Sequence, residues 1–451
     1  MPVFFKAIFI AGLLALSAQI IRSLIPAFRR YHIPISFLGG MLAITLGNQV
    51  FGNFFDFSII DAEVAKAWSE MTLPLVNIVF ACIFLGRALP GLKRGLSLAA
   101  PQAAFGQTLA WGQYFVGGLA TLMILKPYFG ATDQFASLIE ISFQGGVGVA
   151  IGMGPTFDSL GSADATPVAI ALAPTAMLIG IVSGIVMLNV FSQSPDDAKT
   201  SGHSQSAKRE QNGQSASGER STGFTESLLI QFSIVGLTIG LGMAFLAALD
   251  FMESNLLLGK LYQTSMVQHI PVFPMALLAG LAVQAMLDKV KVSLVNPRIM
   301  RKIEIFALEA VIIIAIGNLD IQSIGKNMDI FLILLISGTI WNIMVFSFLA
   351  PRILPEFWLQ RGIADYGQSM GTTSIGLMLQ SITDPEDRSS GREAFGIKQV
   401  FFEPFVGGGI ITALSPLIIH WIGLLTFTIC SAILCLSFAL TGLIIKKKYS
   451  S

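Results

Sequence analysis

Two clusters of glycine and small polar residues interrupt stretches of the sequence that are otherwise apolar. The first cluster consists of Ser142, Gln144, Gly145, Gly146 and Gly148. The second consists of Gln368, Ser369, Gly371, Thr372 and Thr373. Glycine lets the backbone turn tightly and approach a ligand, while hydroxyl and amide groups supply further ligand atoms. We interpret both clusters as parts of a substrate-binding site; the alternative is that the glycines only allow helices to pack closely.

A carboxylate within an apolar stretch gives a third candidate. Glu403 lies in the segment KQVFFEPFVGGG, directly before Pro404. A charged group inside a membrane is costly and by default indicates a functional site. Glu403 is therefore a candidate cation ligand or proton carrier, and a structural ion pair with Lys398 is the alternative.

Two prolines predict free backbone carbonyl groups. Because proline has no N–H, Pro404 would leave the carbonyl group of Val400 without its helical partner. Pro174 would do the same for Ile170 in the first half of the chain. Together with Glu403, these carbonyl oxygens are candidate ligands for a metal cation such as sodium.

The composition places these residues in a membrane protein. Of the 451 residues, 53% are hydrophobic and only 12% are charged, whereas soluble domains carry about 25% charged residues. The net charge of +1 gives no indication of a nucleic-acid partner. The sequence contains no Walker loop, no G-x-S-x-G elbow and no H-E-x-x-H motif, so we expect neither an ATP-driven pump nor an enzyme.

Apolar stretches long enough to cross a bilayer predict an all-α polytopic fold with about eleven transmembrane helices. Their approximate ranges are 4–22, 34–51, 71–90, 97–125, 165–191, 226–250, 271–287, 303–320, 328–350, 395–420 and 421–445. The two glycine-rich stretches, 138–160 and 363–383, are interpreted as re-entrant hairpins. Non-helical backbone at membrane depth is tolerated only where protein or a water-filled cavity surrounds it.

A polar segment divides the chain into two similar halves. Residues 192–225 are rich in Ser, Gly and Gln and have no apolar face, which predicts a disordered linker. Residues 1–191 and residues 226–420 each contain five predicted spans and one hairpin in the same order. Because five crossings reverse the direction of the chain, the halves would form an inverted-topology repeat. Residues 421–451 add an extra transmembrane helix and a basic tail.

The distribution of positive charge predicts the orientation. With the N-terminus outside, the cytoplasmic segments hold 23 of the 28 Lys and Arg residues. This asymmetry follows the positive-inside rule. It places the linker and the C-terminal residues Lys446, Lys447 and Lys448 in the cytoplasm, and it requires that both hairpins leave on the side on which they enter.

Several motifs resemble those of bacterial sodium/glutamate symporters. They are Tyr31-x-Ile33-Pro34 with Gly39-Gly40, then Gly145-Gly146-x-Gly148, and the second hairpin followed by Pro404-x-Val406-Gly407. The resemblance extends from about residue 29 to residue 420. It implies a homodimer in which the hairpins and spans five and ten form a moving transport domain that works by an elevator mechanism. The sequence departs from the family pattern at Val147, where a His is usual, and at Glu403, where an apolar residue is usual.

The resemblance implies sodium-coupled symport of glutamate or a related small carboxylate, with Na⁺ as the co-transported ion and no cofactor. A carrier of the same fold coupled to protons, or one for another organic anion, is the nearer alternative. A membrane receptor or regulator that does not transport is the alternative from another class. The expected location is the bacterial inner membrane.

Overall fold

The computed structural model describes residues 2–30, 33–52, 58–87, 92–191, 227–255, 267–292, 294–319, 321–384 and 388–450. The predicted linker 192–225 lies outside them, as does Tyr31 of the first family motif. The described residues are overwhelmingly helical, and their one β contact is an isolated bridge between Gly47 and Ile60. The all-α prediction is therefore confirmed.

Twelve helices carry the architecture. They are α1 (Val3–Leu24), α2 (Ile35–Leu46), α3 (Ala62–Cys82), α4 (Leu92–Ala120), α5 (Ala165–Phe191), α6 (Leu228–Asn255), α7 (Val272–Val290), α8 (Pro297–Gly317), α9 (Met328–Ile353), α10 (Gly391–Phe402), α11 (Ile410–Ile422) and α12 (Leu424–Ser450). The span that contains α4 continues to Phe129.

Seven helices within the described residues are long and apolar enough to cross a membrane. They are α1, α5, α6, α7, α9, α12 and the span Ala99–Phe129. α1, α6 and α12 are the least buried of them, which is the position expected of helices that face acyl chains. The count of eleven spans remains a prediction, since α2 is short and predicted span ten is divided between α10 and α11.

The helices pack as two bundles. The first bundle contains α1, α2, α3, α6, α7 and α8. Its helices approach closely at small residues. At Gly40 of α2, for example, an added Cβ would lie only 2.6 Å from the Cβ of Ile316 in α8, so this approach requires glycine. The second, which we call the hairpin bundle, contains α4, α5, α9, α10, α11, α12 and both glycine-rich segments.

The first glycine-rich segment reverses the direction of the chain. It contains a 3₁₀ turn (Asp133–Ser137), a π turn (Glu140–Gln144) and the short helices Gly146–Gly152 and Gly154–Ser159. Its ends meet, because the hydroxyl of Ser162 lies 2.6 Å from that of Thr132 and donates to Gln134 at 2.9 Å. The reversal therefore extends over residues 132–162, slightly beyond the predicted 138–160.

The second segment is also a hairpin. Its arms are the helices Trp358–Ser369 and Thr373–Thr383. A Cβ built on Gly367 would lie 2.7 Å from the Cα of Gly376, whereas nine residues of continuous helix span about 13 Å. The arms thus pack side by side, and glycine at both positions permits this approach.

Candidate functional site

The breaks in the two hairpins lie against each other. Gly146 has a φ of +74°, a backbone conformation that residues with a Cβ rarely adopt. A Cβ at this position would lie 3.1 Å from the carbonyl oxygen of Gly371 and 3.7 Å from the Thr372 methyl group. The two clusters, separated by more than 200 residues in the sequence, therefore meet at their predicted glycines.

Two polar side chains from neighbouring helices hold the second break. Gln113 of α4 donates to the carbonyl oxygen of Ser369 at 2.7 Å, and Asn342 of α9 donates to the same oxygen at 3.4 Å. Gln113 also donates to the side-chain oxygen of Asn342 at 3.1 Å. All three residues are buried, so this carbonyl at the end of a helical arm is satisfied without water.

The arm that follows the break begins with Thr372. The side-chain oxygen of Thr372 accepts from the N–H of Ile375 at 3.4 Å and so caps the helix Thr373–Thr383. The N–H groups of this first turn lie beside the break, where a helix N-terminus attracts anions.

Several of the predicted hydroxyl and amide groups already have partners within the protein. Ser142 donates to the carbonyl oxygen of Ala169 at 3.0 Å, and Ser369 donates to that of Tyr366 at 2.9 Å. Gln144 differs, because its side-chain oxygen is buried without a hydrogen bond. Of these groups, Gln144 is the best placed to accept a hydrogen bond or a cation at the break.

Glu403 lies at the end of α10 and is only 7% exposed. One carboxylate oxygen, Oε1, accepts from the hydroxyl of Thr373 at 3.1 Å. The other, Oε2, has no hydrogen bond and lies 3.9 Å from Nη1 of Arg87. The hydrogen bond from Thr373 thus joins Glu403 directly to the second arm of the second hairpin.

Lys398 does not pair with Glu403, the alternative suggested by the sequence. Its ammonium group donates to Asp365 at 2.5 Å and to the side-chain oxygen of Gln368 at 2.7 Å, and it lies 4.0 Å from the centre of the Phe402 ring. The side chains of Asp365 and Lys398 are fully buried. This ion pair was not predicted.

Hydrogen bonds connect this ion pair with Glu403. Gln368 donates to Gln399 at 3.1 Å, Gln399 donates to the hydroxyl of Thr373 at 3.4 Å, and Thr373 donates to Glu403. This series of hydrogen bonds joins both arms of the second hairpin to α10. The predicted ligand Gln368 is thus part of a buried polar network beside the break.

A second carboxylate missed by the sequence analysis is Glu140 in the first hairpin. It is fully buried and accepts from the Tyr114 hydroxyl at 2.6 Å, the Thr412 hydroxyl at 2.9 Å and the Gly407 N–H at 2.9 Å. These bonds join the first hairpin to α4, to α11 and to the turn that precedes α11. The sequence contains a signal for it, since Glu140 and Asp365 each stand six residues before the glycine at a break.

The two prolines have different effects on their helices. α5 continues through Pro174, whereas α10 ends at Phe402 and the chain turns over residues 403–409 before α11. Positive φ angles at Gly407 and Gly408 form this turn. Ile170 and Val400 are half-buried, and their role as cation ligands remains a prediction. Within the described part of the chain, no group of three or more His, Cys, Asp and Glu side chains could hold a metal ion.

Comparison with known proteins adds one match. A family model described as sodium/glutamate symporter matches residues 4–354. The match contains the first hairpin, Gln113, Asn342 and Arg87, and it ends before the second hairpin and Glu403. No curated protein matches the chain.

Proposed function

We propose that this chain, which belongs to the sodium/glutamate symporter family, couples the uptake of glutamate or a related small carboxylate to sodium entry. The family supports symport across a membrane as the activity, and seven apolar helices in the described residues support a polytopic membrane protein. The observation that carries the site assignment is the contact between the two hairpin breaks at Gly146 and Gly371. Broken helices that meet in this way are typical of binding sites in secondary transporters.

The substrate carboxylate binds at the start of the helix Thr373–Thr383 in this proposal. Its partners are backbone N–H groups of the first turn and those of Gly146 and Gly148, whereas the predicted Gly145 supplies no free donor because its N–H donates to the carbonyl oxygen of Glu140 at 2.9 Å. The reason is electrostatic, because these N–H groups carry the positive end of the helix dipole.

Sodium is assigned to the neighbouring carbonyl and carboxylate oxygens. Glu403 offers Oε2, which is buried and has no hydrogen bond. Val400 and Ile170 would contribute carbonyl oxygens that their prolines leave free. Oxygen ligands and a negative charge suit a hard monovalent cation, and the shared partner Thr373 lies next to the substrate position.

The two bundles support an elevator mechanism. Each bundle contains corresponding helices from both halves of the chain: spans one to three with six to eight, and spans four and five with nine and ten. This pairing favours an inverted repeat. The hairpin bundle would move and the first bundle would stay fixed in a homodimer. The resemblance implies a transport domain made of the hairpins and spans five and ten. The hairpin bundle is larger than this, because α4, α9 and α12 also pack in it.

Transport assays in proteoliposomes test the function. We expect labelled glutamate to accumulate under an inward sodium gradient and to do so without a proton gradient. Accumulation driven by a proton gradient alone would favour the proton-coupled carrier. Sodium-independent binding without any flux of glutamate or other small carboxylates would favour a receptor.

Glu403→Gln tests the ion site. The variant keeps the shape of the side chain but removes its charge, so the apparent sodium affinity should fall by about tenfold, the loss expected for about 1.4 kcal/mol. Glu393→Gln is the matched control, because Glu393 lies on the same helix but is exposed. Equal sodium dependence in both variants would exclude Glu403 as a ligand.

A further inference from the structure

Charged residues cross the boundary between the two bundles near Glu403. Arg87 follows α3, and Arg301 and Glu304 lie on α8, so all three belong to the first bundle. Glu403 and Ser374 belong to the hairpin bundle. Each arginine makes a contact across the boundary here: Arg87 to Glu403 and Arg301 to Ser374.

The two arginines are held differently. Arg301 donates to Oε1 of Glu304 at 2.6 Å and to the Ser374 hydroxyl at 3.3 Å. Arg87 lies between two carboxylates, 3.7 Å from Oε2 of Glu304 and 3.9 Å from Oε2 of Glu403. These distances are within ion-pair range but too long for hydrogen bonds. Arg87 is therefore shared, loosely held and 36% exposed in its side chain.

A cation on Glu403 would bind the same oxygen that faces Arg87. The oxygen Oε2 has no hydrogen bond, so it is available to a ligand. However, a bound sodium ion would place a second positive charge within roughly 4 Å of the guanidinium group, where like charges repel strongly. Sodium and Arg87 therefore cannot both hold this oxygen without an energetic cost.

We propose that Arg87 competes with the transported sodium ion for Glu403, so that sodium binding releases this contact between the bundles. The proposal rests on the proposed function, because it takes Glu403 as a sodium ligand. The segment 87–96 is predicted to be cytoplasmic, so the competition favours sodium release on that side. Arg87 is a positioning residue in this scheme: it acts on sodium through Glu403.

Equilibrium sodium binding to the purified full-length protein tests the proposal independently of flux, with ²²Na⁺ as the probe. In Arg87→Gln, the competitor loses its charge, and we expect the sodium dissociation constant to fall by about three- to tenfold. Arg87→Lys keeps the charge and should stay closer to the unmodified protein. Lys302→Gln is the matched control, since it removes a positive charge from an exposed position of α8 without changing the ion pairs of Glu304 and Glu403, and its sodium affinity should change by less than about twofold.

A second variant, for which the opposite change in sodium affinity is expected, distinguishes the proposed competition from a general loss of folding. Glu304→Gln removes the second carboxylate that holds Arg87, which leaves Arg87 with Glu403 alone. Sodium affinity should then fall rather than rise. The same direction of change in Arg87→Gln and Glu304→Gln would overturn the proposal, as would an unchanged affinity in Arg87→Gln.

The double variant Arg87→Gln/Glu403→Gln separates this proposal from the function on which it rests. It should show no gain in sodium affinity over Glu403→Gln, because the competitor then has nothing to compete for. An equal gain in the presence of Glu403→Gln would overturn the competition. Absence of sodium binding and of sodium-driven uptake in the unmodified protein would overturn both the competition and the proposed function.

Discussion

Removing the charge of Lys398 should destabilise this protein more than almost any other single change to a lysine. In Lys398→Met, an apolar side chain of similar length replaces the ammonium group. Asp365 then loses its counter-ion in a position with no solvent exposure, and the side-chain oxygen of Gln368 loses its donor. Breaking a buried ion pair by removing one partner costs about 3–5 kcal/mol.

The size of this effect is best measured against an exposed pair of the same geometry. Lys126 and Asp133 lie 2.6 Å apart, but their side chains are 54% and 32% exposed. Lys126→Met should therefore cost only about 0.2–1 kcal/mol. Unfolding of both variants in mixed detergent micelles, followed by tryptophan fluorescence, gives the comparison.

The double variant Asp365→Asn/Lys398→Met completes the thermodynamic cycle. Replacing both members of a buried pair removes the unpaired charge, so most of the lost stability should return. A coupling free energy of at least about 2 kcal/mol is expected from such a cycle. A loss in Lys398→Met no larger than that in Lys126→Met, or no recovery in the double variant, would refute the reasoning.

Two further predictions concern the hairpins and the orientation. Gly146→Val and Gly371→Val should insert into the membrane but lose most uptake, because each adds a side chain where the breaks meet. Gly236→Val is the control, since Gly236 of α6 has open space around it. Normal uptake in both hairpin variants would favour a packing role for the two glycines. Single cysteines at Ser204 and Lys447, in a cysteine-free background, should resist a membrane-impermeant thiol reagent applied to intact cells, and ready labelling of either would contradict the inverted repeat.

The hairpins were predictable because their signal is local. Glycines and small polar residues within an apolar stretch show where a helix cannot continue, and the structure breaks at Gly146 and around Gly371. The number of spans was harder to predict from the sequence. A hydropathy pattern does not reveal that a turn over residues 403–409 divides the predicted span 395–420.

The partners of the buried charges were not predictable, since they depend on packing between distant segments. Glu140 meets Thr412, and Gln113 meets Asn342, across more than 200 residues of sequence. For Lys398, the ion-pair partner is neither Glu393 nor Glu403, which each lie five residues away in the sequence, but Asp365, 33 residues earlier. A spacing pattern could have identified Glu140 and Asp365 as a related pair, but not their partners.

Three positive and three negative side chains close to Glu403 and the second break balance one another, and this balance bears on the proposed coupling to sodium. Lys398 neutralises Asp365, while Arg87 and Arg301 together face Glu304 and Glu403. This group therefore has no spare positive charge for an incoming carboxylate. A buried charge is costly unless it is paired, so an anionic substrate at the proposed site would need a cation that enters with it. Displacement of Arg87 from Glu403 by sodium would also leave the guanidinium group free to face the added negative charge. In the proposed symport, the co-transported cation would therefore be required for substrate binding and would not only supply energy.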